Sequence, residues 1–174
     1  MIKLKDLLLE KKLRVFDFDD TLVKSNSKVY VINKGKKKTL TPGEFAVYKQ
    51  KSGDKFDFSD FDKVIEPKKI KTMFNVFKNI YNASGSRRLT ILTARAVYKP
   101  VRKFLKDVGF NDVYVIALGD ANPQKKADWI ESQIKKGYND ILFLDDSAKN
   151  VRAVKGLKKK YPAIKMDARV VNYD

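Results

Sequence analysis

The sequence predicts an α/β fold: a doubly wound, Rossmann-like parallel sheet of about five strands, helices on both faces, and a small hairpin/helix insert after the first strand. Three observations predict it. Short apolar runs alternate with helical patterns along the chain. The runs are brief, rich in β-branched residues and flanked by polar turns, as strands buried on both faces are. Acidic clusters directly follow two of those runs, at the sheet edge where an open α/β fold keeps its site.

In chain order, Leu13 to Phe18 (LRVFDF) is the first strand, and an insert occupies about residues 23–66. Within it, Lys28 to Ile32, a turn over Asn33 to Lys37, and Lys38 to Leu40 read as a β-hairpin. Thr41-Pro42-Gly43-Glu44 has the spacing of a capping box and predicts a short helix. An acidic, aromatic loop, Asp57 to Glu66, leads into a helix whose apolar face is Met73, Phe74, Phe77, Ile80 and Tyr81. Leu89 to Leu92, Val113 to Ala117 and Ile141 to Leu144 are further strands, and Val101, Phe104, Leu105 and Val108 mark another helix face. Pro67, Pro100 and Pro123 each suit a first helical turn, where the missing N–H costs nothing. Ile164 to Val171 alternates apolar and polar, as an edge strand with one wet face does. The opening Met1 to Lys12 reads as a helix that docks on its own domain through Ile2, Leu4, Leu7, Leu8 and Leu9.

The 174 residues suit one domain spanning 1–174, with no room for a second catalytic unit. A formal charge of +17, from 38 Lys+Arg against 21 Asp+Glu, favours encounters with polyanions. The absence of Cys and His excludes a disulfide framework, a thiolate nucleophile, an imidazole base and an ordinary zinc site. Any catalysis must therefore run on carboxylates, Lys, Ser/Thr and a hard metal ion. No apolar run is long enough for a signal-peptide core or a membrane span, so a cytoplasmic monomer with no membrane partner is expected.

The strongest chemical signal is Asp17-Phe18-Asp19-Asp20-Thr21-Leu22 after the first strand. Carboxylates crowded at a strand end repel one another unless a cation offsets them, and Mg2+ prefers such oxygen ligands. Asp145-Asp146 follows the Ile141 to Leu144 strand, so both clusters reach the same edge of a parallel sheet and can build one metal site. Taken singly, each cluster could be only a solvated turn or a helix cap, with Ser147 as the capping residue. Thr93 closes its strand in Ile91-Leu92-Thr93-Ala94-Arg95, where a hydroxyl can meet a phosphoryl oxygen. Lys125 and Lys126 open the helix before Asp145, where an ammonium offsets phosphoryl charge.

These motifs, DFDDTL, ILTAR, a Lys at a helix start and LFLDD, stand in the order of the four motifs of the haloacid dehalogenase superfamily of phosphohydrolases, which the chain resembles from about Val15 to Asn150. The resemblance implies that Asp17 attacks phosphorus and that Asp19 serves as general acid, then as general base. It implies Mg2+ on the Asp17 carboxylate, the Asp19 backbone carbonyl and Asp146, with Asp145 acting through water and Asn150 supporting the metal shell. Thr93 and a lysine would hold the phosphoryl oxygens; the spacing favours Lys126, with Lys125 the other candidate.

For substrate, the region from Lys126 to Asp146 also resembles the phosphatase half of phage polynucleotide kinase-phosphatases and small phage-encoded superfamily members. No GxxxxGK[ST] loop is present, so a kinase half is missing. Lys34, Lys36, Lys37 and Lys38 at the hairpin turn, and the run Lys155 to Lys160, could contact a nucleic-acid backbone. Arg95, Lys125, Lys36 and Lys37 are therefore the expected substrate-binding residues. Tyr30, Tyr48 and Phe56 could stack on bases, although filling the insert's own small core is the readier reading. The expected activity is removal of a terminal, 3′ phosphate from DNA or RNA. The alternatives are a 5′(3′)-nucleotidase acting on free mononucleotides and a non-catalytic nucleic-acid-binding or phosphoprotein-binding protein of the same fold.

Overall fold

Strand β1 (Lys12–Phe16) lies at the centre of a five-stranded parallel sheet in a computed structural model that describes residues 10–172. The other strands are β7 (Leu89–Thr93), β8 (Tyr114–Ala117), β9 (Asp140–Asp145) and β10 (Lys165–Val170). Their order is β8-β7-β1-β9-β10, so the chain builds outward from β1 on one side and then returns to build on the other. That reversal beside β1 opens a crevice at the carboxyl ends of β1 and β9.

Alternate residues of each strand face opposite helical layers. Phe16, Leu89, Ile91 and Leu144 pack with Met73, Phe74 and Phe77 of α2 (Lys71–Ser84) and with Val101 and Leu105 of α3 (Lys99–Asp107). Leu13, Val15, Ile141 and Phe143 face Ala127, Ile130 and Ile134 of α4 (Pro123–Lys135) and Val151, Val154 and Leu157 of α5 (Ala148–Lys160). Phe16 and Phe77 meet edge to face with ring centroids 5.4 Å apart. Burying a side chain of that size contributes roughly 1.5–3 kcal/mol, so this layer fixes α2 firmly against β1.

Between β1 and α2 lies the insert. Strands β2 (Val23–Lys24) and β6 (Lys68–Lys69) pair antiparallel at its base. Beyond them β4 (Lys36–Leu40), β3 (Val29–Asn33) and β5 (Lys55–Asp57) form a three-stranded sheet in that order. The hairpin turn needs positive φ at both central residues, Lys34 (47°) and Gly35 (76°), and a glycine takes the second at no steric cost. Thr41 caps α1 (Pro42–Ala46): its hydroxyl accepts from the Glu44 N–H while the Glu44 carboxylate accepts from the Thr41 N–H, closing the predicted capping box. Tyr48 and Phe56 pack on Val29, Val31 and Leu40 and so serve the insert's core rather than a stacking face. The Asp57 to Glu66 segment, expected as loop, holds a short 3-10 helix over Ser59–Asp62.

Two sequence expectations need correction. Pro67 does not open a helix: Lys68–Lys69 after it is extended because it pairs with β2, and α2 starts only at Lys71. Lys12, assigned to an opening helix, already belongs to β1, paired with Asp140 in the sheet register; the rest of that expected helix falls on residues 1–9, outside the described residues. Among the described residues no helix is long and apolar enough to cross a membrane.

Candidate active site

The chain leaves β1 as Asp17, whose N–H still donates to the Leu144 carbonyl at 2.9 Å, so the sheet ladder itself fixes where the Asp17 carboxylate projects. β9 ends at Asp145 beside it. Lys126, from the first turn of α4, reaches between them: its Nζ donates to Asp17 Oδ1 and to Asp145 Oδ2, both at 2.7 Å, with all three side chains buried. Lys125, its neighbour, points to solvent. The helix turns its buried face, Lys126, Ala127, Ile130 and Ile134, toward the sheet and leaves Lys125 outside it.

Asp145 is held from every side. Its Oδ1 accepts from the Ser147 N–H (2.8 Å) and Asn150 Nδ2 (3.1 Å), and its Oδ2 accepts from Asn150 Nδ2 (3.0 Å) as well as from Lys126. These bonds fix where Lys126 and Asn150 sit. Thr21 aligns the remaining pair, with its hydroxyl donating to Asp17 Oδ2 (3.2 Å) and accepting from the Asp146 N–H (3.0 Å). Thr21 stands within the first motif without a task that its type alone suggests; the signal is its place four residues after Asp17, across a tight turn in which Asp20 takes a left-handed φ of 58°.

Burial raises the Asp17 carboxyl well above the usual range; Lys126 pulls it down, but Asp145, Asp146 and Asp19 add to the rise. Burial also pushes Asp146 up, to about 6, aided by Asp145 and Asp20. For Lys126 burial would lower the ammonium, yet Asp17 and Asp145 outweigh it and hold it above its ordinary value. Asp17, Asp145 and Asp146 each offer a carboxylate oxygen within 4.8 Å of the others. One ammonium against three carboxylates leaves excess negative charge, and an all-oxygen set suits a hard divalent cation such as Mg2+. Asp17, with one hydrogen bond on each oxygen, and Asp146 have more lone pairs left for a cation than Asp145, whose oxygens each accept two.

Asp19 stands apart from that trio. Both its oxygens are gripped by Arg95, Nε to Oδ2 at 2.8 Å and Nη2 to Oδ1 at 2.7 Å, and Ser25 Oγ approaches Oδ1 at 3.4 Å. Arg95, expected to bind substrate, is among the residues lining the site cavity, and its guanidinium is buried and paired with Asp19, a contact between residues 76 apart that no local pattern announces. Thr93 ends β7 with its Oγ1 accepting from the Arg95 N–H at 3.2 Å, which leaves the hydroxyl proton free to donate into the cavity it lines.

That cavity, about 740 Å³, joins the site to the insert: Asp17, Asp19, Thr93, Lys126 and Asp146 form its floor, and Phe45, Phe58 and Phe61 part of its wall. Asp57 and Asp62 line the same wall, and Lys149 the α5 side. Lys36 and Lys37 are not among the lining residues; they lie exposed on β4, with Lys37 Nζ 3.7 Å from the centre of the Tyr30 ring. Lys155 to Lys160 fall on the later turns of α5, away from its first turn at the cavity.

In comparisons with known proteins, no family model, no curated protein and no solved structure matches the chain.

Proposed function

We propose that the chain is a magnesium-dependent phosphomonoesterase of the haloacid dehalogenase type, working through an aspartyl-phosphate on Asp17, and that it removes a terminal phosphate, a 3′ phosphate first of all, from DNA or RNA. One observation carries the chemistry: Lys126 and the carboxylates of Asp17 and Asp146 converge at adjoining strand ends, on the floor of a cavity that Thr93 also lines.

In the first half-reaction an Asp17 oxygen forms a bond to phosphorus, the bond from phosphorus to the leaving oxygen breaks, and the Asp19 carboxyl gives that oxygen its proton. In the second, Asp19 takes a proton from water, the water oxygen bonds to phosphorus, and the Asp17 carboxylate leaves, restoring the enzyme. Lys126 and the Thr93 hydroxyl hold the phosphoryl oxygens and offset their growing charge. Mg2+ held by Asp17 and Asp146, with the Asp19 carbonyl, would supply charge neutralisation between nucleophile and phosphate.

The substrate reading rests on the +17 charge and the exposed hairpin lysines, which favour a polyanion. A specific observation favours the second reading, a free mononucleotide: the wall over the floor is made of Phe45, Phe58 and Phe61 with Asp57 and Asp62, a surface suited to a flat ring and unfavourable to further phosphates.

The test is phosphate release, with Mg2+, from a 3′-phosphorylated oligonucleotide and from free 3′- and 5′-mononucleotides, using Asp17→Asn as control. Release from the oligonucleotide, suppressed by salt and lost in the variant, supports end processing. Release from mononucleotides alone selects the nucleotidase, and no variant-sensitive release from either removes the nucleic-acid substrate.

A further inference from the structure

The Arg95 guanidinium bridges two parts of the molecule, the turn after β1 that carries Asp19 and the 58–63 segment of the insert. One edge of its planar fork takes both oxygens of Asp19. The remaining nitrogen, Nη1, donates to two backbone carbonyls of the insert, Phe61 at 2.8 Å and Lys63 at 2.5 Å. The Phe61 ring lies 5.0 Å from the guanidinium carbon and the Phe18 ring 5.5 Å, and the side chain is 1% exposed. Its own backbone is fixed as well, the N–H on Thr93 Oγ1 and the carbonyl accepting from the Gly119 N–H at 3.0 Å. Phe58, Phe61 and Asp62, on the segment it holds, line the cavity.

We propose that Arg95 is a positioning residue that makes the seating of the insert's 58–63 segment and the orientation of the Asp19 carboxylate one event. Charge-assisted bonds to a fork are strong and directional, so Asp19 holds Arg95 in the pose that captures the two carbonyls, and the carbonyls hold Arg95 in the pose that grips Asp19. Such coupling is reciprocal: whatever favours one contact favours the other by the same factor. A ligand that settles against Phe58 and Phe61 therefore also settles Asp19. Describing Asp19 as the proton-transfer group rests on the function proposed above; its linkage to the insert does not.

The linkage is tested on the full chain by limited trypsin digestion, following cleavage after the exposed Lys63 by mass spectrometry, for wild type, Asp19→Asn, Arg95→Lys and Asp17→Asn. Asp19→Asn keeps the side-chain shape and removes the charge that fixes Arg95. It should speed this cleavage about fivefold or more through local opening, with Arg95→Lys doing the same and Asp17→Asn digesting at the wild-type rate. Wild-type cleavage in Asp19→Asn, or equal acceleration in Asp17→Asn, overturns the proposal. A second readout separates positioning from mere structure. In Arg95→Lys, kcat for an alkyl phosphate, whose leaving oxygen needs a proton, should fall tenfold or more relative to p-nitrophenyl phosphate, with KM little changed; equal losses on both also overturn it. If wild type hydrolyses neither substrate, the proposed function fails and the digestion alone decides the linkage.

Discussion

Lys126 Nζ lies 2.7 Å from Asp17 Oδ1 with both side chains buried, so the candidate nucleophile and the cation expected to steady its phosphate are already in contact before any substrate arrives. The contact has a stability consequence as well as a catalytic one.

Lys126→Met should remove phosphate release and lower the melting temperature, because two buried carboxylates lose their partner; breaking a buried pair in this way typically costs roughly 3–5 kcal/mol. The loss should be larger at pH 8 than at pH 5, because burial raises the Asp17 carboxyl and lets it escape by taking up a proton. Thermal melts at the two pH values check this. An equal loss at both would mean that the ammonium matters only for packing.

Asp146, raised to about 6 by burial and by Asp145 and Asp20, gives a pH dependence with a definite sign. Between the ordinary carboxylate range and pH 6 the native state keeps a proton that the unfolded chain has lost, so metal-free stability falls as pH rises through that window. Added Mg2+ should reverse the fall: it should raise the melting temperature by roughly 5 °C at pH 7.5 and by little at pH 4.5. Trp129 fluorescence during melting, with Mg2+ or with EDTA, reads the effect. No shift at pH 7.5 would exclude this cluster as a Mg2+ site.

Thr21→Val keeps the shape of a fully buried side chain while depriving the Asp146 N–H of its acceptor and Asp17 of a donor. An unsatisfied buried group costs about 1–3 kcal/mol, visible as a lower denaturation midpoint. Turnover should fall by more than the folded fraction does, since Asp17 and Asp146 lose their common alignment.

Phe58→Ala tests the cavity wall. Phe58 is 44% exposed, so its loss should leave stability nearly unchanged. KM for a mononucleotide should rise on the order of tenfold, the worth of one stacked base, while a 3′-phosphorylated oligonucleotide is less affected. The reverse ranking would favour the polymer end as substrate.

The strands and helices were legible because burial writes itself into local periodicity: LTIL and ILFL are β7 and β9 with boundaries off by a residue or so. The Asp17, Lys126, Asp145 and Asp146 cluster was legible through order along the chain, since parallel strands bring their carboxyl ends to one edge. Arg95 and Thr21 were not assigned their tasks, because their partners lie 76 and 125 residues away and the bonds depend on how the insert and β9 seat. The placing of the hairpin lysines was not legible for a related reason: charge and sequence proximity to the insert do not say which of its sides meets the cavity, and the aromatic 58–61 stretch is the side that does.

The central position of β1 has a consequence for synthesis. Lys126 lies 109 residues after Asp17, and the backbone of Asp146 meets Thr21 across 125 residues. At about 10 residues per second, a nascent chain carries the candidate nucleophile for roughly ten seconds before the residues that complete the cluster exist. A polypeptide cut off ahead of β9 would hold the first motif and still be inert, so activity on the ribosome would report that translation has passed Asp146.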